Sequence, residues 1–408
     1  MQRRCVTLSY ASTGKDLSRH LGPILHWQGE PELGGWYTDQ EVQAVEEALR
    51  ATMQPWSTHA GKYISNFEEE FAAFVGASSA IALNGGGSAL DLALRCLDLE
   101  PGDEVISCAI NFHGTHLAVL NTGARLVLCE PVPTTLNIDP ADVERKISTR
   151  TRAILVTHMN GLPADIDELV AVAERCAHGT RGPARLIFDA ARCCGARYRG
   201  ARIGSQGWMT VFSFQRKKLM STLGEGGMIT TDDPSAASAL RRYRSFGDGV
   251  TWGSNFKMTD VQAAVGIVQL NRLDDMNELR IKVAQERTRL LSTVVGVTLP
   301  PCPSDRSHLY YLYTLLVDEK LAGAGRDHVR SILESEYGIG AVVANRPTYL
   351  TNSFIKERVG ALSLPIAEQT ADRILCPSLH PLMSQEDNQL IASAIGRAID
   401  RAMQCSES

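Results

Sequence analysis

Short, continuously apolar runs alternate with helical patterns along the first half of the chain, and this alternation most constrains the fold. The runs AIAL (80–83), DEVISCAI (103–110), RLVLCEP (125–131), RAILVTH (152–158), RLIFD (185–189) and MTVFSF (209–214) are mostly separated by stretches with helical periodicity. Strands that are apolar throughout, rather than at every second residue, are typical of a parallel sheet with helices on both faces. The sequence therefore predicts an α/β fold.

A long periodic stretch and a proline cluster indicate how the chain divides. The stretch from Thr259 to Val294 predicts a connecting helix, and prolines follow it at positions 300, 301 and 303. We therefore expect an N-terminal arm (1–30), a large domain (31–294) that ends in this helix, and a small C-terminal α/β domain (295–408).

Composition excludes several classes of protein. The 408 residues carry a formal net charge of -5 and show no clustered basic face, so we expect no nucleic-acid partner. No apolar run approaches the ~18 residues of a membrane span, and the N-terminus has no signal-peptide pattern. The ten cysteines are scattered and form no CxxC motif, so neither a metal site nor a disulfide framework is expected. These features predict a cytoplasmic protein.

Polar residues follow several of the predicted strands. Asp189 ends RLIFD, Ser213 follows MTVF, His158 ends RAILVTH, and the glycine-rich NGGGS (84–88) opens a helix after AIAL. Ligands of open α/β sheets gather at the carboxyl ends of the strands, and a helix N-terminus suits a phosphate. On these residues alone, NGGGS also suits a flexible turn, and His158 suits a structural histidine better than a ligand contact.

A basic pair lies in SFQRKKLMSTLGEGGM (213–228), between a strand and a glycine turn. Lys217 and Lys218 can be a solvated basic patch, or one of them can be a covalent anchor. A strand-terminal aspartate, Asp189, and a strand-terminal serine, Ser213, both precede the pair. Together with NGGGS, these residues form a specific constellation, although both interpretations of the lysine pair stay open on these residues alone.

Dense, ordered motifs then resemble a known family. FEEEFAAFVG, GGGSALDLAL, PGDEVI, DAARCCGA, SFQRKKLMSTLGEGG and GSNFKMTDVQAAVGIVQL resemble the DegT/DnrJ/EryC1/StrS family of pyridoxal-phosphate sugar aminotransferases, from about Thr38 to Arg397. The resemblance implies fold type I (aspartate aminotransferase-like), with a large domain around a mostly parallel, seven-stranded sheet and a smaller C-terminal α/β domain. It also implies pyridoxal 5'-phosphate as cofactor.

The resemblance implies specific roles. Lys218 matches the lysine that binds the cofactor aldehyde, Asp189 the aspartate under the pyridine nitrogen, and Asn255 an asparagine that reaches the phosphate of a neighbouring subunit. A homodimer with shared active sites follows from the last match. The remaining cofactor contacts would come from Gly87, Ser88, Ser213 (phosphate) and Phe112 (ring stacking). Without the resemblance, these residues also suit a basic patch, a helix cap, turn residues and a core aromatic.

Two positions depart from the family pattern. Arg192 stands where most relatives have a glutamine that contacts the cofactor ring hydroxyl, and Gln215 stands where most have histidine. The arginine adds a positive charge at a cofactor-binding position. Further polar groups predicted to face the substrate are His113, Asn160, Lys217 and Arg346, with Ser57, Thr58 and His59 near the predicted rim.

The resemblance implies transfer of an amino group from an amino acid, glutamate or glutamine, to a keto-sugar or a cyclitol ketone, in amino-sugar or antibiotic biosynthesis. A pyridoxal-phosphate dehydratase or ring-forming enzyme of the same fold is an alternative. Family dehydratases typically carry histidine where Lys218 stands, which argues against a dehydratase, whereas ring-aromatising members keep the lysine. A non-catalytic protein that binds a phosphate ligand is an alternative of another class. The sequence does not name the acceptor, the donor or the pathway.

Overall fold

A computed structural model describes residues 36–53, 61–175 and 182–406, so the predicted arm (1–30) lies outside the described residues. The main sheet has seven strands, which are β1 Ser79–Leu83, β2 Glu104–Cys108, β3 Arg125–Cys129, β4 Thr151–Thr157, β5 Arg185–Asp189, β8 Met209–Ser213 and β9 Gly227–Thr231. Their spatial order is β1-β9-β8-β5-β4-β2-β3. Between β5 and β8, the short strands β6 (Arg197–Tyr198) and β7 (Ala201–Arg202) form a hairpin.

Most of this sheet is parallel, as predicted. β2 pairs in parallel with β3 and β4, β4 with β5, and β5 with β8, whereas β9 runs antiparallel to both β8 and β1. Every residue of β2, β8 and β9 is buried. Because helices cover both faces, these strands are apolar without alternation.

Several helices have well-defined ends. Thr38 and Thr259 form capping boxes with Glu41 and Gln262, and Gly76 ends one helix with a φ of 77°. No described helix is both long enough and apolar enough to cross a membrane. Their bounds are α1 Asp39–Thr52, α2 Lys62–Val75, α3 Gly86–Arg95, α4 His113–Asn121, α5 Pro140–Lys146, α6 Ile166–Arg175, α7 Pro234–Arg244, α8 Asp260–Leu291, α9 Ala324–Tyr337, α10 Thr348–Thr351, α11 Ser353–Val359, α12 Pro365–Arg373 and α13 Gln385–Ser406.

Helix α8 connects two hydrophobic cores. It is continuous over 32 residues, close to the predicted range. Ala263 and Leu270 on its first half pack into the core around the main sheet, whereas Ala284 and Leu291 on its second half pack into another core. This second core includes part of an antiparallel sheet in the order β10-β11-β13-β12, formed by β10 Val297–Thr298, β11 Leu315–Val317, β13 Ile374–Pro377 and β12 Ala341–Val342. The domain division near residue 294 stays a prediction, and the two separate hydrophobic cores support it.

Candidate active site

Three neighbouring parallel strands end at one edge of the main sheet. Asp189 is the last residue of β5, Ser213 is the last of β8, and His158 follows β4. Since β8, β5 and β4 are adjacent and parallel, their carboxyl ends lie side by side. Helix α3 begins next to them, because Leu83 at the end of β1 and Ser213 at the end of β8 both pair with Gly227 of β9. The predicted site residues on the main sheet therefore lie along one rim.

Asp189 is a buried carboxylate that is held by neutral donors. Its side chain is 4% exposed, and its Oδ2 accepts hydrogen bonds from the hydroxyl groups of Thr115 (3.1 Å) and Thr157 (3.4 Å). Its Oδ1 accepts the N–H of Ala191 at 3.0 Å. Among the described residues, no arginine, lysine or histidine pairs with it within 4 Å, and a buried charge without a counter-charge is costly. A protonated pyridine nitrogen would supply the missing positive charge.

Glycines allow a tight loop at the start of α3. A Cβ atom on Gly86 would lie 2.8 Å from Ser213 Cβ, and one on Gly227 would lie 2.5 Å from the carbonyl oxygen of Gly85. The helix has no side-chain cap, so its first N–H groups face outward without a helical partner. Together with Ser213, these N–H groups of Gly87 and Ser88 form an anion cradle that fits a phosphate.

Phe112 lies at the start of α4 with an open ring face. It is 55% exposed, although it is a large apolar side chain. A Cβ on Gly114 would lie 2.7 Å from Phe112 Cε1, so the ring takes this position only because residue 114 is glycine. His113 is also exposed, and the centroids of the two rings are 4.3 Å apart. An exposed, positioned ring suits stacking on a planar ligand.

The two lysines of the basic pair lie in different surroundings on the loop between β8 and β9. The N–H of Lys217 donates to Gln215 Oε1 and the N–H of Lys218 to the carbonyl of Gln215, both at 2.8 Å. Lys217 is exposed, whereas Lys218 is half-buried with its Nζ 5.0 Å from the centroid of the Tyr311 ring. Gly226, with a φ of 158°, closes the loop where a Cβ would clash with Thr222 Oγ1. Only Lys218 therefore lies against the interior of the site.

Arg192 is held by amide groups on the β4 side of the rim. Its Nη1 donates to Asn160 Oδ1 at 2.8 Å and to Asn345 Oδ1 at 2.6 Å, and its Cζ lies 5.6 Å from the Tyr311 ring centroid. Asn160 is buried, with a φ of 53°, and its Nδ2 donates to Thr314 Oγ1 at 2.8 Å. The side chain of Asn160 thus forms hydrogen bonds with both Arg192 and Thr314.

The other predicted residues lie in different surroundings. Asn255 is exposed on the loop between α7 and α8, and the next residue, Phe256, accepts the N–H of Asn84 beside the α3 cradle. Arg346 is exposed next to Asn345.

His158 is fully buried, and burial lowers its pKa to about 3, so it is a neutral structural residue. Ser57, Thr58 and His59 lie outside the described residues.

Several contacts at the site come from residues that the sequence analysis did not single out. Thr115, Thr157, Tyr311 and Asn345 contact Asp189, Lys218 or Arg192. Thr157 was predictable from the sequence, because it lies at the end of a predicted strand, as Asp189 does. In the structure the two residues lie in register on the neighbouring strands β4 and β5. No group of three or more histidine, cysteine, aspartate or glutamate side chains among the described residues is placed to hold a metal ion.

The geometry agrees with comparisons to known proteins. Residues 37–396 match the model of the DegT/DnrJ/EryC1/StrS aminotransferase family. The chain is 35% identical over 378 residues to dTDP-3-amino-3,4,6-trideoxy-alpha-D-glucose transaminase of Streptomyces venezuelae, covering 89% of this chain and 96% of that protein. The crystal structure of S. venezuelae DesV superposes with a TM-score of 0.80 at 33% identity, covering 89% of this chain and 95% of the other. The structure of 3-amino-5-hydroxybenzoic acid synthase has a TM-score of 0.81 at 29% identity, covering 90% and 97%.

The cradle predicts a contrast between two neighbouring glycines. In Gly86→Ala the added methyl group would clash with Ser213, so we expect the affinity for pyridoxal phosphate to fall by at least roughly tenfold, which corresponds to about 1.4 kcal/mol. The Cβ of Gly87→Ala meets no atom within 4 Å, so this matched variant should lose far less. Absorbance titration of the apoprotein with the cofactor measures both. Equal losses would show that the close approach to Ser213 is not what shapes the cradle.

Proposed function

Since the chain belongs to the DegT/DnrJ/EryC1/StrS aminotransferase family, we propose that it transfers an amino group from glutamate or glutamine to the ketone of a sugar or cyclitol ring. It is a pyridoxal-phosphate-dependent aminotransferase, as the family and its relatives are. The observation that carries the proposal is the rim itself. It combines a half-buried Lys218, the buried Asp189 without a cationic partner, and the glycine cradle of α3 on neighbouring strand ends.

Each side chain then has a defined task. When bound, pyridoxal phosphate supplies an electron sink for the substrate carbon that gives up its proton. Lys218 would hold the cofactor aldehyde, and its amine would carry the proton at that carbon. Asp189, oriented by Thr115 and Thr157, keeps the pyridine nitrogen protonated. The N-terminus of α3 and Ser213 hold the phosphate.

The surroundings of the site support a ring acceptor. Ring hydroxyl groups need neutral donors and acceptors, and His113 and Gln215 offer such groups near Phe112 and Lys218. Two of the similar proteins, the dTDP-sugar transaminase and 3-amino-5-hydroxybenzoic acid synthase, are named for ring compounds. Beside Lys217 runs a groove of about 600 Å³ with further cations, Arg216 and Arg330. This groove would also accommodate a phosphorylated, carboxylated or nucleotide-linked ring.

The active form that we propose is a homodimer. The loop between α7 and α8, which carries Asn255, exposes the apolar side chains of Phe246, Val250 and Trp252. Exposed apolar groups that cluster on one loop are typical of a protein interface. The same loop contacts the start of α3 through Phe256. A second copy seated on this loop would therefore lie beside the phosphate cradle, within reach of Asn255.

A two-step experiment tests the proposed activity. Borohydride reduction of the yellow holoprotein and peptide mapping should place the pyridoxyl group on Lys218, and Lys217→Ala should keep it there. In a separate sample that has not been reduced, glutamate or glutamine should convert the holoprotein to the pyridoxamine form, and an inosose or a keto-sugar should restore the visible absorbance. Label on Lys217 would overturn the assignment of the anchor. Restoration by pyruvate or oxaloacetate alone would overturn the ring acceptor.

Asp189 should matter for the rate rather than for attachment of the cofactor. Breaking a buried ion pair costs about 3–5 kcal/mol. If most of that cost falls on the proton-transfer step, Asp189→Asn slows the donor half-reaction by roughly 10²–10³-fold, at ~1.4 kcal/mol per decade, while borohydride still labels Lys218. Asp233→Asn is a matched control, because Asp233 caps α7 after β9, whose carboxyl end lies at the opposite edge of the sheet. Stopped-flow absorbance gives both rates, and a wild-type rate in Asp189→Asn would assign this carboxylate another role.

The interface is tested with two equally exposed valines. Val250, at 79% exposure, lies on the proposed interface loop, whereas Val295, at 80%, lies between α8 and β10. We expect Val250→Asp to yield monomers that bind pyridoxal phosphate less tightly, since a buried charge opposes association. Val295→Asp should stay dimeric. Light scattering reports the mass, and a monomeric wild-type protein with full turnover would contradict the shared site.

A further inference from the structure

Arg192 carries a positive charge without an acidic partner in the described part of the chain. Its Nη1 is bonded to the amide oxygens of Asn160 and Asn345 and lies 3.1 Å from the sulfur of Met159. No described carboxylate lies within 4 Å of its guanidinium group. These neutral contacts all use Nη1, and within the described residues neither Nε nor Nη2 has a hydrogen-bond partner. A half-buried guanidinium with free donors favours an anion in front of it.

The order of the strands determines which part of the cofactor Arg192 meets. In pyridoxal phosphate the ring nitrogen is opposite the aldehyde carbon, and the phosphate arm and the ring hydroxyl flank that carbon on either side. Asp189 marks the nitrogen and Lys218 the aldehyde. The phosphate cradle lies on the β8 side of Asp189, whereas Arg192 is bonded to Asn160, which follows β4 on the other side. Arg192 therefore lies on the side of the ring hydroxyl.

Arg192 also shares an aromatic neighbour with Lys218. The centroid of the Tyr311 ring lies 5.6 Å from Arg192 Cζ and 5.0 Å from Lys218 Nζ, so the two cations contact the same aromatic side chain. A positive charge within ~4–6 Å of a titrating group favours its less positive form and shifts its pKa by roughly 1–3 units. In the holoprotein the lysine linkage and the ring oxygen would share one proton, and a guanidinium hydrogen-bonded to that oxygen would favour loss of the proton.

We propose that Arg192 holds the ring oxygen of bound pyridoxal phosphate as an anion, and thereby lowers the pH at which the Lys218 linkage loses its proton. This inference rests on the proposed function. Its consequence concerns the amino donor, which arrives as an ammonium ion and must lose a proton before it can attack. An unprotonated linkage near neutral pH accepts that proton, so the bonded pair Arg192–Asn345 prepares the enzyme for its donor.

Other charged or titratable groups around the linkage lie on several elements. Burial lowers the pKa of His158 to about 3 and raises the pKa of Cys376 to about 11, so neither changes charge near neutral pH. Among the described residues, the elements that form the site also carry Asp189 at the end of β5, Arg216 and Lys217 in the Lys218 loop, His113 on α4, and Tyr311 and Arg346 in the C-terminal part. A His113→Asn background removes the imidazole beside Phe112, and the titration is measured with and without this change.

Spectral titration of the holoprotein tests the proposal. In Arg192→Gln we expect the pH midpoint of the visible absorbance change to rise by roughly 1–3 units. Asn345→Asp should raise it as well, because it places a carboxylate against Nη1 while the arginine stays. Arg346→Gln removes the same charge from an exposed neighbour, where solvent and salt screen it, and should move the midpoint by less than roughly 0.3 unit. Circular dichroism checks the fold of each variant.

Each outcome decides between clear alternatives. Unchanged midpoints in Arg192→Gln and Asn345→Asp overturn the proposal, and so does an equal shift in Arg346→Gln. If both site variants lose the borohydride label on Lys218 while the wild type keeps it, Arg192 retains the cofactor instead of setting its proton, and the proposal is wrong. A wild-type protein without label on Lys218 is a separate result, because it overturns the proposed function itself.

Discussion

A carboxylate held in the interior without a cation is the constraint on which the active site depends. Asp189 lies at the end of a central strand, where neighbouring strands exclude water, and only hydroxyl and backbone donors hold it. Such an arrangement is costly in the free protein, because hydrogen bonds do not supply the missing charge. In the proposed function, a bound ring with a protonated nitrogen would supply that charge. On this proposal, the free protein already holds the carboxylate in the position that the cofactor needs.

The glycines of the site serve the same ligand by permitting close approach. A methyl group on Gly86 or Gly227 would collide with the strand or loop beside it, and one on Gly114 would displace the ring of Phe112. Only two of these three positions lie in a glycine-rich motif, and all three have ordinary negative-φ or extended backbone. Space, rather than left-handed conformation, is therefore what glycine provides here. Close packing of backbone on backbone leaves the N–H groups of α3 free for an anion.

The sequence predicted the main sheet well, because buried parallel strands are apolar at every position and need no pairing information to be recognised. RLIFD and MTVFSF became β5 and β8, and the predicted helix from Thr259 became α8. The site residues on strand ends were also predictable, since a strand's end is a local feature. The apolar run YYLYTLLV (310–317) in the C-terminal part is less informative, because only Leu315–Val317 of it forms a strand and Tyr311 instead faces Lys218. Contacts such as Arg192–Asn345 join residues that are distant in the chain, and one sequence carries no local signal for them.

The C-terminal part completes the site from the side opposite the phosphate cradle. Thr348 ties it to the main sheet, because its N–H donates to the carbonyl of Ala109 at 3.0 Å and its hydroxyl lies 2.6 Å from Nδ1 of His116. Pro347 also bridges to Ile110, next to the α4 helix that carries Phe112. These contacts fix Asn345 against Arg192. The predicted cofactor contacts thus lie on the main sheet and its loops, whereas Asn345, which accepts a hydrogen bond from Arg192, lies on the C-terminal segment. A substitution at Asn345 would therefore change the surroundings of Arg192 while the residues at the strand ends stay in place.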